Sequence, residues 1–318
     1  MIERSPPRAW KPQFNKLFGL LCFSCLCTTP LAAQPRRVGP PPPPPATDLS
    51  PLNDEFAGAS LDSKWSRFDK QYGWPDKLKK LDVGQTVEGS LHLQPYHGAW
   101  VRDLNAPFIF QIVEGDFDVR ARVRVRGATT DSPGGTWSLG GLMARVPNGL
   151  NAETWEPRRE NWHFITTGVG LEPGKQVTET KATYNSYSSL KLRQFASGWV
   201  ELRLVRVGMT LFALAREDGA STWKVRDRFY RMEPNPAMQV GLIAYTTSDA
   251  VRPGPEDPVK ENGSVSPDLP VDMLMDVDWI RFARPKPRID WAWQSQVQEH
   301  PLADPNLSEA EIIAALGA

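Results

Sequence analysis

Residues 114–145 read EGDFDVRARVRVRGATTDSPGGTWSLGGLMAR, and this stretch decides the fold. Between 117 and 126 the alternation is unbroken: Phe117, Val119, Ala121, Val123 and Val125 fall on one face, and Asp116, Asp118, Arg120, Arg122, Arg124 and Arg126 on the other. Side chains of a strand point alternately to opposite faces, so this is a half-buried strand with one oily and one wet side. On a helix the same valines would scatter around the circumference. The glycines and proline between 127 and 135 spell a turn. Residues 137–146 then resume as a second strand with Gly140 and Gly141 inside it, the mark of a bulge or a close backbone approach.

Working outward, β-rich runs recur at 86–93, 108–113, 162–170, 177–184, 190–195, 199–207, 210–216, 223–232, 239–246 and 273–282, each bounded by turn residues. This spacing predicts an all-β sandwich or barrel, with a folded body over residues 52–284. Trp65, Trp199 and Trp223 are expected in its core. Two connections are long for a compact domain. Residues 147–160 carry Trp155 and are expected to be functional, whereas 247–271, with five prolines between 253 and 270, are expected to be disordered. The tail, 285–318, ends in a short helix with Ser308 as N-cap and Gly317 as stop. Its Ile312, Ile313 and Leu316 are placed to dock on the sandwich or on a protein partner.

Composition sets the address. The 318 residues carry 37 basic and 37 acidic side chains, a balance that points to neither nucleic acid nor a charged membrane. Arg4, Arg8, Lys11 and Lys16 precede an apolar run at 17–26, and Pro30, Leu31, Ala32 and Ala33 supply small residues for cleavage, so 1–33 reads as a signal peptide of an exported protein. Its apolar run is short for a membrane span, and none is expected after cleavage. All three cysteines lie in this segment, so the processed protein has no disulfides and a net charge of −3. Residues 34–51 contain six consecutive prolines, Pro40 to Pro45, and read as a stiff linker.

The four histidines show no metal-ligand spacing, and no Gly-x-Ser-x-Gly elbow is present. If the terminal strands pair, Asp54, Glu55, Asp276 and Asp278 converge as candidate ligands of a structural calcium. Aromatic residues carry the stronger signal, because flat apolar faces stack on sugar rings while a few polar groups fix orientation. Trp100, Trp137, Trp155, Trp162 and Tyr187 sit in or beside loops, with Arg145, Arg159 and Asn161 near them as hydrogen-bonding groups.

Asp54-Glu55-Phe56 with Leu61-Asp62 and Trp65, Gly115-Asp116-Phe117-Asp118-Val119, Gly141-Leu142-Met143-Ala144-Arg145, Glu160-Asn161-Trp162, Trp199-Val200-Glu201-Leu202, Val240-Gly241-Leu242 and Asp276-Val277-Asp278 follow one another in an order that resembles the concanavalin A-like lectin/glucanase superfamily. The likeness is greatest to the bacterial branch named after a yeast regulator of enolase. It implies a two-sheet antiparallel jelly-roll sandwich with adjacent first and last strands. It implies no activity, because that fold hosts lectins, glycosidases and structural modules alike. Glucanases of this kind place alternating acids on one strand. Here Glu114, Asp116 and Asp118 come nearest, but the third acid is displaced by one position and four arginines follow on the same face, which keeps the aspartates ionised and makes them poor acids.

The residues therefore favour an exported, non-catalytic module that binds carbohydrate or polysaccharide. A glycan-acting hydrolase is the alternative, requiring two carboxylates on one cleft from among Glu114, Asp116, Asp118, Glu160 and Glu172. A third reading is an envelope protein-interaction module recruited through the C-terminal helix.

Overall fold

The computed structural model describes residues 45–230, 237–251, 257–286 and 301–317. The expected signal, 1–33, and most of the linker, 34–51, lie outside the described residues. Two antiparallel seven-stranded sheets are packed face to face. With strands numbered along the chain, the first sheet runs in the order β1 (Ser66–Arg67), β4 (Phe108–Glu114), β13 (Ala237–Tyr245), β6 (Ser138–Arg145), β7 (Trp162–Val169), β8 (Gln176–Tyr184) and β9 (Tyr187–Gln194). The second runs β12 (Lys224–Tyr230), β11 (Thr210–Glu217), β10 (Trp199–Val207), β5 (Phe117–Arg126), β14 (Leu274–Ala283), β3 (Leu91–Pro95) and β2 (Leu78–Val83). The expected antiparallel sandwich is what the chain forms.

The two-faced strand read from the sequence is β5, at the middle of the second sheet. Its Ala121 pairs with Leu202 of β10 and Ile280 of β14, and its Val123 with Val200 and Val277. The apolar face meets Leu142, Ala144, Ile165, Val240 and Leu242 of the first sheet, all but sealed from solvent. Burying a side chain of this size stabilises by about 1.5–3 kcal/mol, so this one interface carries much of the driving force.

The other face of β5 is a ladder of ion pairs. Arg122 bridges Asp218 and Asp278, while Arg124 and Arg126 both reach Asp276 of β14. Trp199 lies under Arg122 and Arg124, 4.5 and 5.1 Å from its ring, so it caps this ladder instead of filling the core as expected. Trp65 and Trp223 are buried, as expected. The Asp276 side chain is fully buried, with His92 Nδ1 at 2.8 Å from its Oδ1. Burial pushes its carboxyl up, but the bonds from His92, Arg124 and Arg126 outweigh this and hold it at about 2.

The start of the body clasps the last strand. Backbone bonds of 2.9 Å run both ways between Asp54 and Ile280, and Asn53 Oδ1 accepts from the Phe282 N–H. Two helices were illegible in the sequence for want of length: α1 (Phe68–Tyr72) and α2 (Pro258–Asn262). The second corrects the expectation of disorder for the described part of 247–271; residues 252–256 lie outside the described residues. Asp257 caps it, and its buried Asn262 accepts from the Asn105 N–H and donates to the Asp103 carbonyl, which ties the segment down. Strand β2 was also unforeseen, because its LysLys pair is exposed at a sheet edge and its register shifts after Leu78.

The tail ends in α3 (Glu309–Leu316), opened by a reciprocal Ser308–Glu311 capping box and closed by left-handed Gly317. Ile312 and Leu316 are buried against Val205, Val207, Phe212, Leu214 and Trp223, and the Leu316 carbonyl accepts from Arg203. The apolar face once available to a protein partner is thus spent on the sandwich. No helix among the described residues is long and apolar enough to cross a membrane.

Two substitutions test this architecture. A Cβ on Gly241 would lie 2.7 Å from Phe110 Cα and 2.9 Å from the Ile109 carbonyl carbon, backbone atoms that cannot rotate away. Gly241→Ala is expected to cost about 3 kcal/mol in urea unfolding, and an unchanged midpoint would refute the register given for β13. Asp276→Asn is expected to cost about 2–3 kcal/mol at pH 7. Because the folded carboxyl is depressed, its contribution is complete above the unfolded value near 4 and is lost as pH falls through about 2. The wild-type stability should therefore fall more steeply than the variant's between pH 4 and 2; parallel curves would contradict the assignment.

Candidate functional site

The first sheet turns one face to the core and the other outward. Strand register aligns Gln239, Arg145, Trp162 and Thr183 in one outward row and Gly241, Met143, Phe164 and Lys181 in the next. This face is covered by the protein's own aromatic side chains. Phe68 and Tyr72 of α1 pack on it, and Trp100 sets its edge against Phe68, Phe108 and Trp162 at 5.3, 6.2 and 5.9 Å. Trp162 stacks on Phe164 at 5.2 Å. Trp100 and Trp162 are both fully buried, which corrects their assignment to a sugar-stacking surface: a sequence position beside a loop does not show that the loop folds over it.

Arg145 is likewise committed. Its guanidinium meets both Glu160 carboxylate oxygens at 2.7 and 2.6 Å, donates to Gln239 and lies over the rings of Phe68 and Tyr72. Burial pushes its proton affinity down and Glu160 more than restores it, so the group stays cationic and paired. Trp155 does come near Arg145, as part of a hollow shared with Trp74, Asn148 and Glu160. That hollow holds only about 10 Å³, room for no more than a water. Trp137 is half-buried at the far end of the face, its backbone in the left-handed region at φ +48 and Lys181 Nζ 5.8 Å from its ring. Beneath it, Lys181 lies 2.9 Å from buried Glu179, to which the Tyr245 hydroxyl also donates. Burial, then the Glu179 charge, raises the Tyr245 phenol well above its ordinary value, so it remains a donor.

The acids weighed for hydrolysis are dispersed. Glu114 is exposed at the end of β4 and Glu172 on the turn between β7 and β8, where it pairs with Lys175. Asp116 accepts from the Gly208 N–H. Asp118 is held by Arg203 and Arg120; burial raises its carboxyl, and these two arginines bring it below the usual range. No two of these carboxylates face one cleft among the described residues.

The calcium expectation also fails on geometry. The clasp does bring Asp54 beside β14. Asp54, however, accepts from Trp65 Nε1 and the Phe56 N–H, Glu55 is bidentate to Arg281, Asp278 pairs with Arg122, and Asp276 is enclosed by His92 and two arginines. A cation would have to displace arginines already neutralising these charges. No group of three or more His, Cys, Asp or Glu side chains among the described residues is arranged to hold a metal ion.

The open site lies elsewhere, where the free edges β9 and β12 face each other across the sandwich. A cleft of about 420 Å³ is lined there by Asn161, His163, Tyr184, Ser189, Leu190, Lys191, Asp227, Arg228, Phe229 and Tyr230, among others. Tyr184 and Tyr230, one from each sheet, are 44% and 47% exposed. Tyr187 pairs with Tyr184 across a two-residue turn, Asn185-Ser186, whose φ values of +46 and +62 are those of the tight hairpin turn that matches strand twist. Asn161 Oδ1 accepts from the Asn185 N–H and so fixes this tip. Lys191 and Asp227 join the two sheets at 2.6 Å, with Thr180 donating to Asp227 from behind. His163 packs on Phe229 at 5.1 Å.

Of the expected binding residues, only Asn161 lines this cleft, and Tyr187 borders it. Tyr184, Tyr230, Ser189, Lys191, Asp227 and Arg228 were missed. The signal available was the Tyr-Asn-Ser-Tyr hairpin followed by β9, whose burial pattern is largely exposed despite its strand periodicity.

Comparisons with protein-family models and with curated proteins found no match. Among solved structures, the chain is similar to a functionally unknown protein from Saccharomyces cerevisiae (14% identity, TM-score 0.47, covering 70% of this chain and 97% of that one). It is also similar to a GH43 protein from Bacillus licheniformis (12%, 0.47, 73% of this chain) and to a pseudo β-1,3-glucanase and immunostimulatory antigen of Mycobacterium tuberculosis (14%, 0.43, 73% of this chain and 97% of that one). The match spans 39% of the Bacillus protein's length. With TM-scores below 0.5, these likenesses add nothing to what the strand pairing already establishes for this chain.

Proposed function

We propose that this chain is an exported carbohydrate-binding β-sandwich that does no chemistry on its ligand, and that the ligand occupies the cleft between β9 and β12. One observation carries the reading. Two tyrosines nearly half exposed stand on the two sheets flanking a cleft of about 420 Å³ that is rich in hydrogen-bonding groups. Exposed aromatic faces beside a few fixed polar groups are what a sugar ring requires, apolar contact for its C–H face and directed bonds for its hydroxyls. Among the described residues lining the cleft the one carboxylate is Asp227, and it is bound to Lys191, Thr180 and the Arg228 N–H, an arrangement that suits holding a ligand better than a hydrolytic pair. The export signal read at 1–33 and the linker that follows suit a module acting outside the cytoplasm.

The test is a glycan array followed by calorimetry on residues 34–318, with each bound glycan assayed for new reducing ends. Saturable binding is expected, weakened at least tenfold (about 1.4 kcal/mol) by Tyr184→Ala and by Tyr230→Ala. The thermal midpoint should stay unchanged in Tyr184→Ala and fall only slightly in Tyr230→Ala, whose hydroxyl donates to the Ala303 carbonyl. Product formation, or binding indifferent to both substitutions, would sink the proposal.

A further inference from the structure

Among the described residues, the same seam carries two arginines that no carboxylate contacts directly. Six arginines of the two sheets meet carboxylates: Arg120, Arg122, Arg124, Arg145, Arg203 and Arg216. Arg193 on β9 and Arg226 on β12 do not. Nη1 of Arg193 and Nε of Arg226 are buried donors with no acceptor among the described residues. Arg226 spends one N–H on the Gln194 carbonyl, 3.0 Å away, and lies over the Phe195 ring at 4.7 Å. Further along β12, Arg228 donates to the carbonyls of Asp304 and Pro305. The two guanidinium groups repel each other: burial first, and then the Arg193 charge, lowers the proton affinity of Arg226, and the charges of Glu309 and Glu217 offset only part of this.

The nearby acids are already taken. Asp227 holds Lys191, Glu309 accepts from the Val225 N–H at 2.6 Å, and Glu217 faces Lys224. Ser189, Lys191 and Arg193 share one face of β9 at steps of about 7 Å, so Arg193 stands one step beyond the Lys191 that lines the cleft. Arg226 is the neighbour of the cleft residue Asp227. Both arginines are partly exposed, so an anion can reach them from solvent.

We infer that Arg193 and Arg226 form a subsite for the carboxylate or sulfate group of an anionic polysaccharide whose sugar rings occupy the cleft. This rests on the carbohydrate-binding reading and narrows its ligand. A guanidinium pair binds such oxygens through charge-assisted, often bidentate bonds, and an anion relieves the repulsion between the two groups.

The test compares matched polymers in 150 mM salt: polygalacturonate against its fully methyl-esterified form, and dextran sulfate against dextran. At least one anionic member should bind ten or more times tighter than its neutral counterpart, and which pair shows this separates carboxylate from sulfate. Arg193→Gln with Arg226→Gln should erase the preference while leaving neutral binding within twofold and the thermal midpoint no lower. Arg158→Gln, at an exposed arginine outside the cleft lining, should leave the preference intact. If the glutamine pair does not fold, the Arg→Lys pair, which keeps the charge, should retain at least part of the preference. Neutral glycans bound without any anionic preference would overturn this inference alone. So would a preference that survives the glutamine pair or falls equally in Arg158→Gln, since either outcome reports general charge attraction. Failure of every glycan to bind would overturn the carbohydrate reading with it.

Discussion

The sandwich depends on β5 having two incompatible faces and satisfying both. Its apolar face can be buried only against another sheet, and its arginine face can sit beside a core only if acids are supplied from the strands and turns on either side. β14 supplies Asp276 and Asp278, and the turn after β11 supplies Asp218. Neither requirement is weak: apolar burial drives collapse, and an arginine this close to a core with no partner would cost several kcal/mol. Together they fix which strands flank β5 and in what register, and the rest of the second sheet follows from that pairing.

The same logic explains where the molecule is closed and where it is open. The charged groups on the outward face of the first sheet are paired internally, from the Arg145–Glu160 pair to the Lys181–Glu179–Tyr245 group, and the aromatic cluster seals it. At the β9 and β12 edges the strands instead turn charged side chains toward the space between the sheets. Inward charges on an edge strand keep it from pairing with another chain, and here the Lys191–Asp227 pair also ties the two edges together across the cleft. The flanking tyrosines make that cleft usable.

Most strands were legible because alternation over eight to ten residues has one reading. β5 and β10 occupy the expected residues, and Ser308 and Gly317 bound the last helix as read. β1, β2 and the short helices were not legible, since two to six residues carry too little period and are held by tertiary contacts. The site was the least legible part. Trp100 and Trp162 have the residue type of a binding surface, but type does not reveal exposure, and α1 with its neighbouring loops covers them. Arg193 and Arg226 lie within β-rich runs, and no local signal sets them apart. Only the meeting of two distant edges shows that neither has a carboxylate, and that meeting belongs to topology, not to local sequence.

The aromatic lining of the cleft has an optical consequence. Its rings are tyrosines, a histidine and a phenylalanine, whereas the indoles of Trp100, Trp162 and Trp223 are enclosed in packed clusters away from it. Indole emission responds chiefly to the polarity around the ring, so it reports whether those clusters are intact. A ligand settling between Tyr184 and Tyr230 would leave that emission almost dark to its arrival, and the tyrosines, or a label on the ligand itself, would have to be the reporter.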